Sequence, residues 1–134
     1  YLRLSKLFYA TDAVLSPLPE EFHKNIFKEI CRSSAYLEAF LFSFAGEIAG
    51  YGLVSKRFST EAGGLECWVE DLFVLPEFRG KGIGGAFLDF VKKRYSTNRF
   101  RLEVEEENHR AVALYRKHGF EFLSYRQMIC DAGN

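Results

Sequence analysis

The chain has 134 residues, the size of one typical globular domain, and we treat residues 1–134 as a single domain. Hydrophobic residues make up 48% and charged residues 27%, while Lys+Arg and Asp+Glu each number 18 and give a formal net charge of zero. This balance argues against a nucleic-acid-binding protein, and the longest apolar stretch, residues 36–54, is interrupted by Glu38, Gly46 and Glu47, which excludes a membrane span there.

The cysteines and histidines show no metal or disulfide pattern. Cys31, Cys67 and Cys130 are widely spaced and lack a Cys-x-x-Cys pair, which argues against a zinc site or a disulfide framework. The histidines show no metal-ligand or catalytic-triad spacing, so we predict no bound metal. Free cysteines favour a reducing, cytoplasmic setting. Cys67, inside an apolar segment, is expected to be a small buried residue rather than a nucleophile.

The first half of the chain predicts two helices and then three strands. Apolar residues recur at helical spacing near the start, as Leu4, Leu7 and Phe8 show. Pro17 and Pro19 separate this helix from a second one with the same periodicity. Apolar runs bounded by glycine then indicate strands. The predicted elements are helices over residues 2–10 and 20–33 and strands over residues 36–44, 48–56 and 65–74.

The second half predicts one strand–helix–strand crossover followed by a further helix. A glycine-rich turn over residues 79–85 leads directly into the crossover helix, and residues 99–104 form the strand after it. Asn108 is a preferred helix N-cap residue, and Gly119 stands where helices commonly end. Residues 120–130 are expected to add one or two closing strands.

The glycine-rich turn has the composition of an anion cradle. Its backbone N–H groups can approach a phosphate, the following helix N-terminus adds partial positive charge, and Arg79 and Lys81 add formal charge. A P-loop is excluded because Gly82, rather than Ser or Thr, follows Lys81. The dinucleotide pattern G-x-G-x-x-G does match at Gly80, Gly82 and Gly85. An NAD-dependent oxidoreductase is therefore an alternative, although a single crossover is too little for a Rossmann sheet.

Two segments resemble the GNAT superfamily of N-acetyltransferases. The segment from Val74 to Gly84 resembles that family's acetyl-CoA signature, which is Arg/Gln-x-x-Gly-x-Gly/Ala after a strand ending in Val-x-Pro. The segment from Asn108 to Phe120 resembles the family's second signature and includes its tyrosine, Tyr115. Both motifs occur in the order and at the spacing typical of that family.

The resemblance implies an α/β fold with a mixed, mostly antiparallel sheet, flanked by helices on both faces and splayed at the acetyl-CoA site. It covers residues 36–130 closely and residues 1–35 loosely, as the paired opening helices. The family's first strand, which normally precedes the first helix, is expected to be missing from this chain.

The resemblance also implies where acetyl-CoA would bind. The backbone of the glycine-rich turn would hold its diphosphate. The end of the preceding strand would pair with its pantetheine arm, and an asparagine would hydrogen-bond that arm. The residues implied are Leu72, Phe73, Val74, Arg79, Gly80, Lys81, Gly82, Ile83, Gly84 and Asn108.

Acetyl transfer to an amine needs a base for the amine and an acid for the leaving thiolate. Tyr115 would be the acid, because it lies two helical turns beyond Asn108 on the same side, and the resemblance places it beside the thioester sulfur. Glu70 is the predicted base, because burial in an apolar strand raises the pKa of a carboxyl group. Glu66, on the same strand face, and water are alternatives. Strand alternation predicts that Glu70 and Asp71 point to opposite faces.

The implied function is direct transfer of acetyl from acetyl-CoA to a primary amine in a ternary complex. The neighbouring acids Glu70 and Asp71 resemble the diamine and polyamine branch of the family, so a small amine or polyamine is the expected acceptor. The acidic run over residues 103–107 would attract such a cation. A non-catalytic acyl-CoA-binding module is the alternative from another class, and a homodimer is consistent with the family resemblance.

Overall fold

The computed structural model describes residues 1–11 and 13–133 and confirms the predicted order of elements as far as the last helix. None of the helices described is long and apolar enough to span a membrane. In chain order the elements are α1 (Leu2–Phe8), α2 (Glu20–Arg32), β1 (Leu37–Phe44), β2 (Glu47–Ser59), β3 (Gly64–Val74), a short 3-10 turn (Pro76–Phe78), α3 (Ile83–Arg94), β4 (Arg99–Leu102) and α4 (His109–Lys117).

The four strands form one mixed sheet in the order β1-β2-β3-β4. The first three strands are antiparallel, and β4 lies parallel to β3 because α3 carries the chain back across the sheet. The β3–β4 pairing runs only from Glu66–Arg99 to Val69–Leu102. Beyond Val69 the two strands separate, which confirms the splayed sheet that the sequence predicted.

Helices cover both faces of the sheet, and each face has its own apolar core. Leu4 and Phe8 of α1 pack with Tyr51 and Phe73 on one face. On the other face, Phe87 and its neighbours in α3 pack against β2 and β3. A Cβ atom at Gly52 would lie 2.3 Å from the Phe87 ring, so this glycine provides the space in which α3 settles on the sheet.

A β-bulge interrupts β3 at Glu70. Asp71 pairs with Leu53 and Val69 pairs with Val54, which leaves Glu70 without a partner on β2. The bulge reverses the alternation of side chains, so that Asp71 faces α1 while Val69 lies in the core beneath α3. Glu70 accepts a hydrogen bond from Ser55, whose strand position also faces the α1 side. The prediction that Glu70 and Asp71 point to opposite faces is therefore wrong, because the bulge puts both on one face.

The prediction of closing strands over residues 120–130 is also wrong. In the part of the chain that the structure describes, no strand follows α4, and residues 121–133 are exposed. A strand requires a neighbouring backbone ladder, but the outer edge of β4 faces a cavity of about 660 Å³ instead. Apolar side chains such as Phe122 and Leu123 are each half exposed beside this cavity.

Candidate active site

The glycine-rich turn presents an open helix N-terminus. Gly80 and Gly82 have φ angles of +78° and +79°, which side-chain-bearing residues rarely adopt. Gly82 is the N-cap of α3 and can supply no side-chain acceptor, so the amides of residues 83–85 remain available to an external anion. Arg79 Nε donates a 2.9 Å hydrogen bond to the Val74 carbonyl and thereby fastens the turn to the end of β3. This geometry fits a diphosphate.

A cavity of about 830 Å³ opens where β3 and β4 separate, between the glycine-rich turn and α4. Ten of the twelve predicted site residues share its wall: Leu72, Phe73, Val74, Arg79, Gly80, Gly82, Ile83, Gly84, Asn108 and Tyr115. Lys81 and Glu70 are not on this wall. The Lys81 ammonium lies 5.5 Å from the centre of the Phe44 ring instead.

The end of β3 offers a free backbone edge to this cavity. Residues 72–74 pair with Gly50–Gly52 of β2 on one side. On the other side β4 has already diverged, since its pairing stops at Leu102. An extended ligand with amide groups could therefore add to β3 as an extra strand.

Two residues of the second motif reach the cavity from α4. Asn108 caps the helix, because its Oδ1 accepts a 3.3 Å hydrogen bond from the Ala111 amide. Tyr115 lies two turns later and is half-buried. Burial raises the pKa of Tyr115 to about 12. Its hydroxyl is therefore protonated at neutral pH and able to donate a proton or a hydrogen bond.

Glu70 lies next to this cavity along β3, on the α1 face of the sheet. It is exposed, so the prediction that it is buried in its strand is wrong, because the bulge places it on the same face as Asp71 and outside the core beneath α3. Its Oε1 accepts a 2.5 Å hydrogen bond from Ser55 Oγ. Partial desolvation by its neighbours raises the pKa of Glu70 even though the residue is exposed, and the negative charges of Asp71 and Glu103 raise it further, against the opposing effect of the Ser55 hydrogen bond. A carboxyl group with a raised pKa is a better proton acceptor than an ordinary one.

Asp71, which the sequence did not single out as a site residue, is at the centre of a buried hydrogen-bond cluster. It is only 2% exposed and accepts hydrogen bonds from Tyr9 Oη at 2.8 Å and Tyr51 Oη at 2.7 Å. Burial raises the pKa of Asp71 although both hydrogen bonds lower it. The cluster joins the end of α1 to the bulge beside Glu70.

Glu66 and Cys67, the other acidic and nucleophilic candidates, do not line the cavity. Glu66 is fully buried, and its Oε1 accepts hydrogen bonds from Arg57 and Trp68, away from the cavity wall. Cys67 is also fully buried, and burial raises its pKa to about 11, which suits the packing role expected of it. Among the residues described, no three His, Cys, Asp or Glu side chains group as a metal site would require.

Sequence reasoning missed several residues of the cavity wall. Arg110 lies beside the glycine-rich turn, with its Nη2 3.8 Å from the position that a Cβ on Gly80 would take. The signal was present, since a basic residue in the first turn of a helix opposes the helix dipole and suggests a bound anion. Phe8, Thr11 and Ala13, at the end of α1 and in the loop after it, form another part of the wall. No motif marks these three residues.

Comparisons with known proteins agree with this geometry. The chain is 35% identical over 80 residues to thialysine N-epsilon-acetyltransferase of Mus musculus, covering 58% of this chain and 46% of that protein. It is 28% identical over 86 residues to spermine/spermidine N(1)-acetyltransferase of Bacillus subtilis, covering 59% and 56% of the two chains. The chain thus spans about half the length of these relatives.

A solved structure extends the likeness to almost the whole chain. An integron cassette protein from the mobile metagenome of Cole Harbour salt marsh superposes with a TM-score of 0.77 and 30% identity, over 98% of this chain and 81% of that one. The model of the Acetyltransferase (GNAT) family matches residues 5–120, which include both motifs and the whole cavity wall described above. The chain belongs to the acetyltransferase (GNAT) family.

Proposed function

We propose that this protein transfers the acetyl group of acetyl-CoA directly to a primary amine. The observation that carries the proposal is the single cavity into which the free edge of β3, the uncapped start of α3 and the Tyr115 side chain all open. Backbone amides at residues 83–85, with Arg79 and Arg110, suit the diphosphate. The free edge at residues 72–74 suits the pantetheine arm.

The proposed reaction uses Glu70 as the base at one end of the site and Tyr115 as the acid at the other. A neutral amine forms the new C–N bond at the thioester carbonyl, and the C–S bond breaks. The amine gives up one proton to Glu70, directly or through water, and Tyr115 gives one proton to the leaving thiolate. The products are an N-acetylated amine and CoA with its thiol restored. The ammonium loses one proton to solvent before it reacts, Glu70 afterwards releases the proton that it accepted, and Tyr115 regains one from solvent, so the net result is one proton released for each ammonium that is acetylated.

An amine acceptor is supported by the acidic side chains around the site. Glu105 and Glu107 line the cavity, and Glu103 is close enough to Glu70 to raise its pKa. Such a negative region attracts an ammonium group. The names of the two enzymes compared above, which refer to thialysine and to spermine and spermidine, also support an amine.

The experiment is calorimetric titration with acetyl-CoA, with NAD as the control, followed by a CoA-release assay with a panel of amines. We expect saturable binding of acetyl-CoA, no binding of NAD, and CoA release that depends on an amine. Binding without amine-dependent release from a broad panel would instead indicate a non-catalytic acyl-CoA-binding module. Heat from NAD alone would favour the dinucleotide interpretation of the glycine-rich turn.

A further inference from the structure

Three arginines gather on the sheet face that also carries Glu70. The arginine cluster consists of Arg57 on β2 and Arg99 and Arg101 on β4, around Glu66 and Trp68 of β3. Strand pairing places Arg57, Glu66 and Arg99 in one row across the sheet. Trp68 and Arg101 form the next row towards the bulge. Residues that pair across strands share a face.

The positive charge of the cluster exceeds what its carboxylate can balance. Three guanidinium groups share one carboxylate, Glu66, and in the described residues no other Asp or Glu lies within ion-pair distance of them. Arg57 Nε and Trp68 Nε1 already donate to Glu66 Oε1, at 2.7 and 2.8 Å. The cluster is therefore left with two positive charges that no neighbouring carboxylate neutralises.

Like Arg99, Arg101 makes no side-chain hydrogen bond to the residues described, and Arg101 is the less exposed of the two. Its side chain is only 18% exposed, and the nearest carboxylate oxygen, Oε1 of Glu66, is 3.9 Å away, too far for a hydrogen bond. Its guanidinium carbon lies 4.5 Å from the centre of the Trp68 ring. Stacking on an indole holds the plane of a guanidinium group and leaves its N–H donors directed outward. A partly desolvated guanidinium group held in this way favours an anionic ligand.

The bulge brings a negative region next to this positive one. Glu70 follows Trp68 by two residues on the same face, a separation of about 7 Å along a strand. Ser55, which pairs with Trp68, donates the hydrogen bond that holds the Glu70 carboxylate. Glu103 continues the chain from Arg101 and is close to Glu70. One ligand could therefore meet carboxylates at one end and guanidinium groups at the other.

We propose that the arginine cluster binds a carboxylate of the acceptor, so that the acceptor is a zwitterionic amine with Arg101 as the residue that selects it. This inference rests on the proposed acetyl transfer. The acceptor's amine lies at Glu70 and its carboxylate at Arg101, about one side-chain length apart, a distance that free lysine can span. A polyamine has no anionic group for the cluster and would place extra positive charge against it.

The test compares lysine with cadaverine, which is the same molecule without its carboxylate, and includes spermidine as a polycation. Steady-state rates with saturating acetyl-CoA give kcat/KM for each acceptor. For the natural sequence we expect kcat/KM for lysine to exceed that for cadaverine by about 10- to 100-fold, the range of one or two charge-assisted hydrogen bonds. Arg101→Gln should reduce this ratio by about tenfold or more, mainly through a higher KM for lysine.

Arg94→Gln is the matched control. Arg94 is also an arginine that pairs with a glutamate and stacks on an aromatic ring, but it lies at the end of α3, on the other face of the sheet. We expect this variant to keep the lysine-to-cadaverine ratio. Arg99→Gln is the second variant in case Arg101→Gln does not fold, because the Arg99 side chain is more exposed, at 33%.

Each outcome decides between the two proposals. A lysine-to-cadaverine ratio near or below one, or a ratio that neither variant lowers, would overturn the carboxylate subsite while leaving acetyl transfer intact. No turnover with any amine would overturn the proposed function. In that case calorimetric titration of the folded protein with lysine and with cadaverine decides the subsite: tighter binding of lysine that Arg101→Gln abolishes would support it, and equal binding would overturn it.

Discussion

Tyr9 Oη donates a 2.8 Å hydrogen bond to Asp71 Oδ1 across 62 positions of sequence, and so ties the end of α1 to the bulge in β3. Thr11 and Ala13, in the loop that follows Tyr9, form part of the cavity wall. Glu70 is the bulge residue itself. One hydrogen bond thus sets the position of the loop relative to the proposed base.

Replacing Tyr9 with phenylalanine should destabilise the protein, because it leaves one oxygen of a buried carboxylate without its donor. We expect a loss of about 1–3 kcal/mol in the free energy of unfolding, measured by urea denaturation. Tyr125→Phe is the control, since Tyr125 is 68% exposed. Equal unfolding midpoints for the two variants would show that the Tyr9–Asp71 bond contributes little.

The raised pKa of Asp71 predicts a pH-dependent stability. The native state favours the protonated acid, so the contribution of Asp71 is fully present below its ordinary pKa of 3.8 and is lost as the pH rises through the raised native value. Asp71→Asn removes this titration. The stability of the variant relative to the natural protein should therefore rise with pH across that window and then level off, as urea denaturation at a series of pH values will show. A difference that stays constant with pH would contradict the raised pKa.

Replacing Tyr115 with phenylalanine should slow turnover without weakening acetyl-CoA binding. The variant keeps the aromatic ring that packs 6.1 Å from Phe120 but has no proton for the leaving thiolate. We expect kcat to fall by about 10²- to 10⁴-fold, while the Kd of acetyl-CoA from calorimetry changes little. Normal turnover in this variant would remove Tyr115 from the proton-donor role.

Glu70→Gln should remove a titration from the pH–rate profile. If Glu70 is the base, kcat/KM rises as the pH passes the raised pKa of this carboxyl group, because only the ionised form accepts a proton. The glutamine variant should lose this limb and should react about 10²-fold or more slowly at neutral pH. An unchanged profile would assign the proton transfer to water.

Arg110 should contribute to the binding of acetyl-CoA through its phosphates. Arg110→Gln removes a positive charge beside Gly80, and we expect about tenfold weaker binding at low ionic strength, with a smaller difference at high salt. Lys117→Gln, at the other end of the same helix and exposed, is the control. Acetyl-pantetheine, which lacks the diphosphate, should bind both variants equally.

Local sequence signals predicted the elements that build the cavity. The turn at residues 79–85 required glycines at positive φ, and Asn108 and Gly119 marked both ends of α4, so these features follow from short-range chemistry. The bulge at Glu70 carries no such mark, because it arises from the register of β3 against β2.

The sequence pattern likewise could not predict long-range contacts. The partners of Asp71 lie 62 and 20 positions away, and nothing in its surroundings distinguishes it from a solvated acid. For the segment after Gly119, by contrast, the sequence predicted strands that the structure does not contain in the residues described. Its apolar residues satisfy a strand pattern, but they form no ladder with β4 in the residues described.

Tyr115 belongs to the walls of both cavities, the one below the glycine-rich turn and the one at the outer edge of β4. The proposed proton donor is therefore accessible from the outer edge of β4 as well as from the cavity proposed for acetyl-CoA. A chain segment that fills the cavity at the outer edge of β4 would contact Tyr115. If Tyr115 is the proton donor, turnover is thus open to influence from the outer edge of β4, without contact with the cavity proposed for acetyl-CoA.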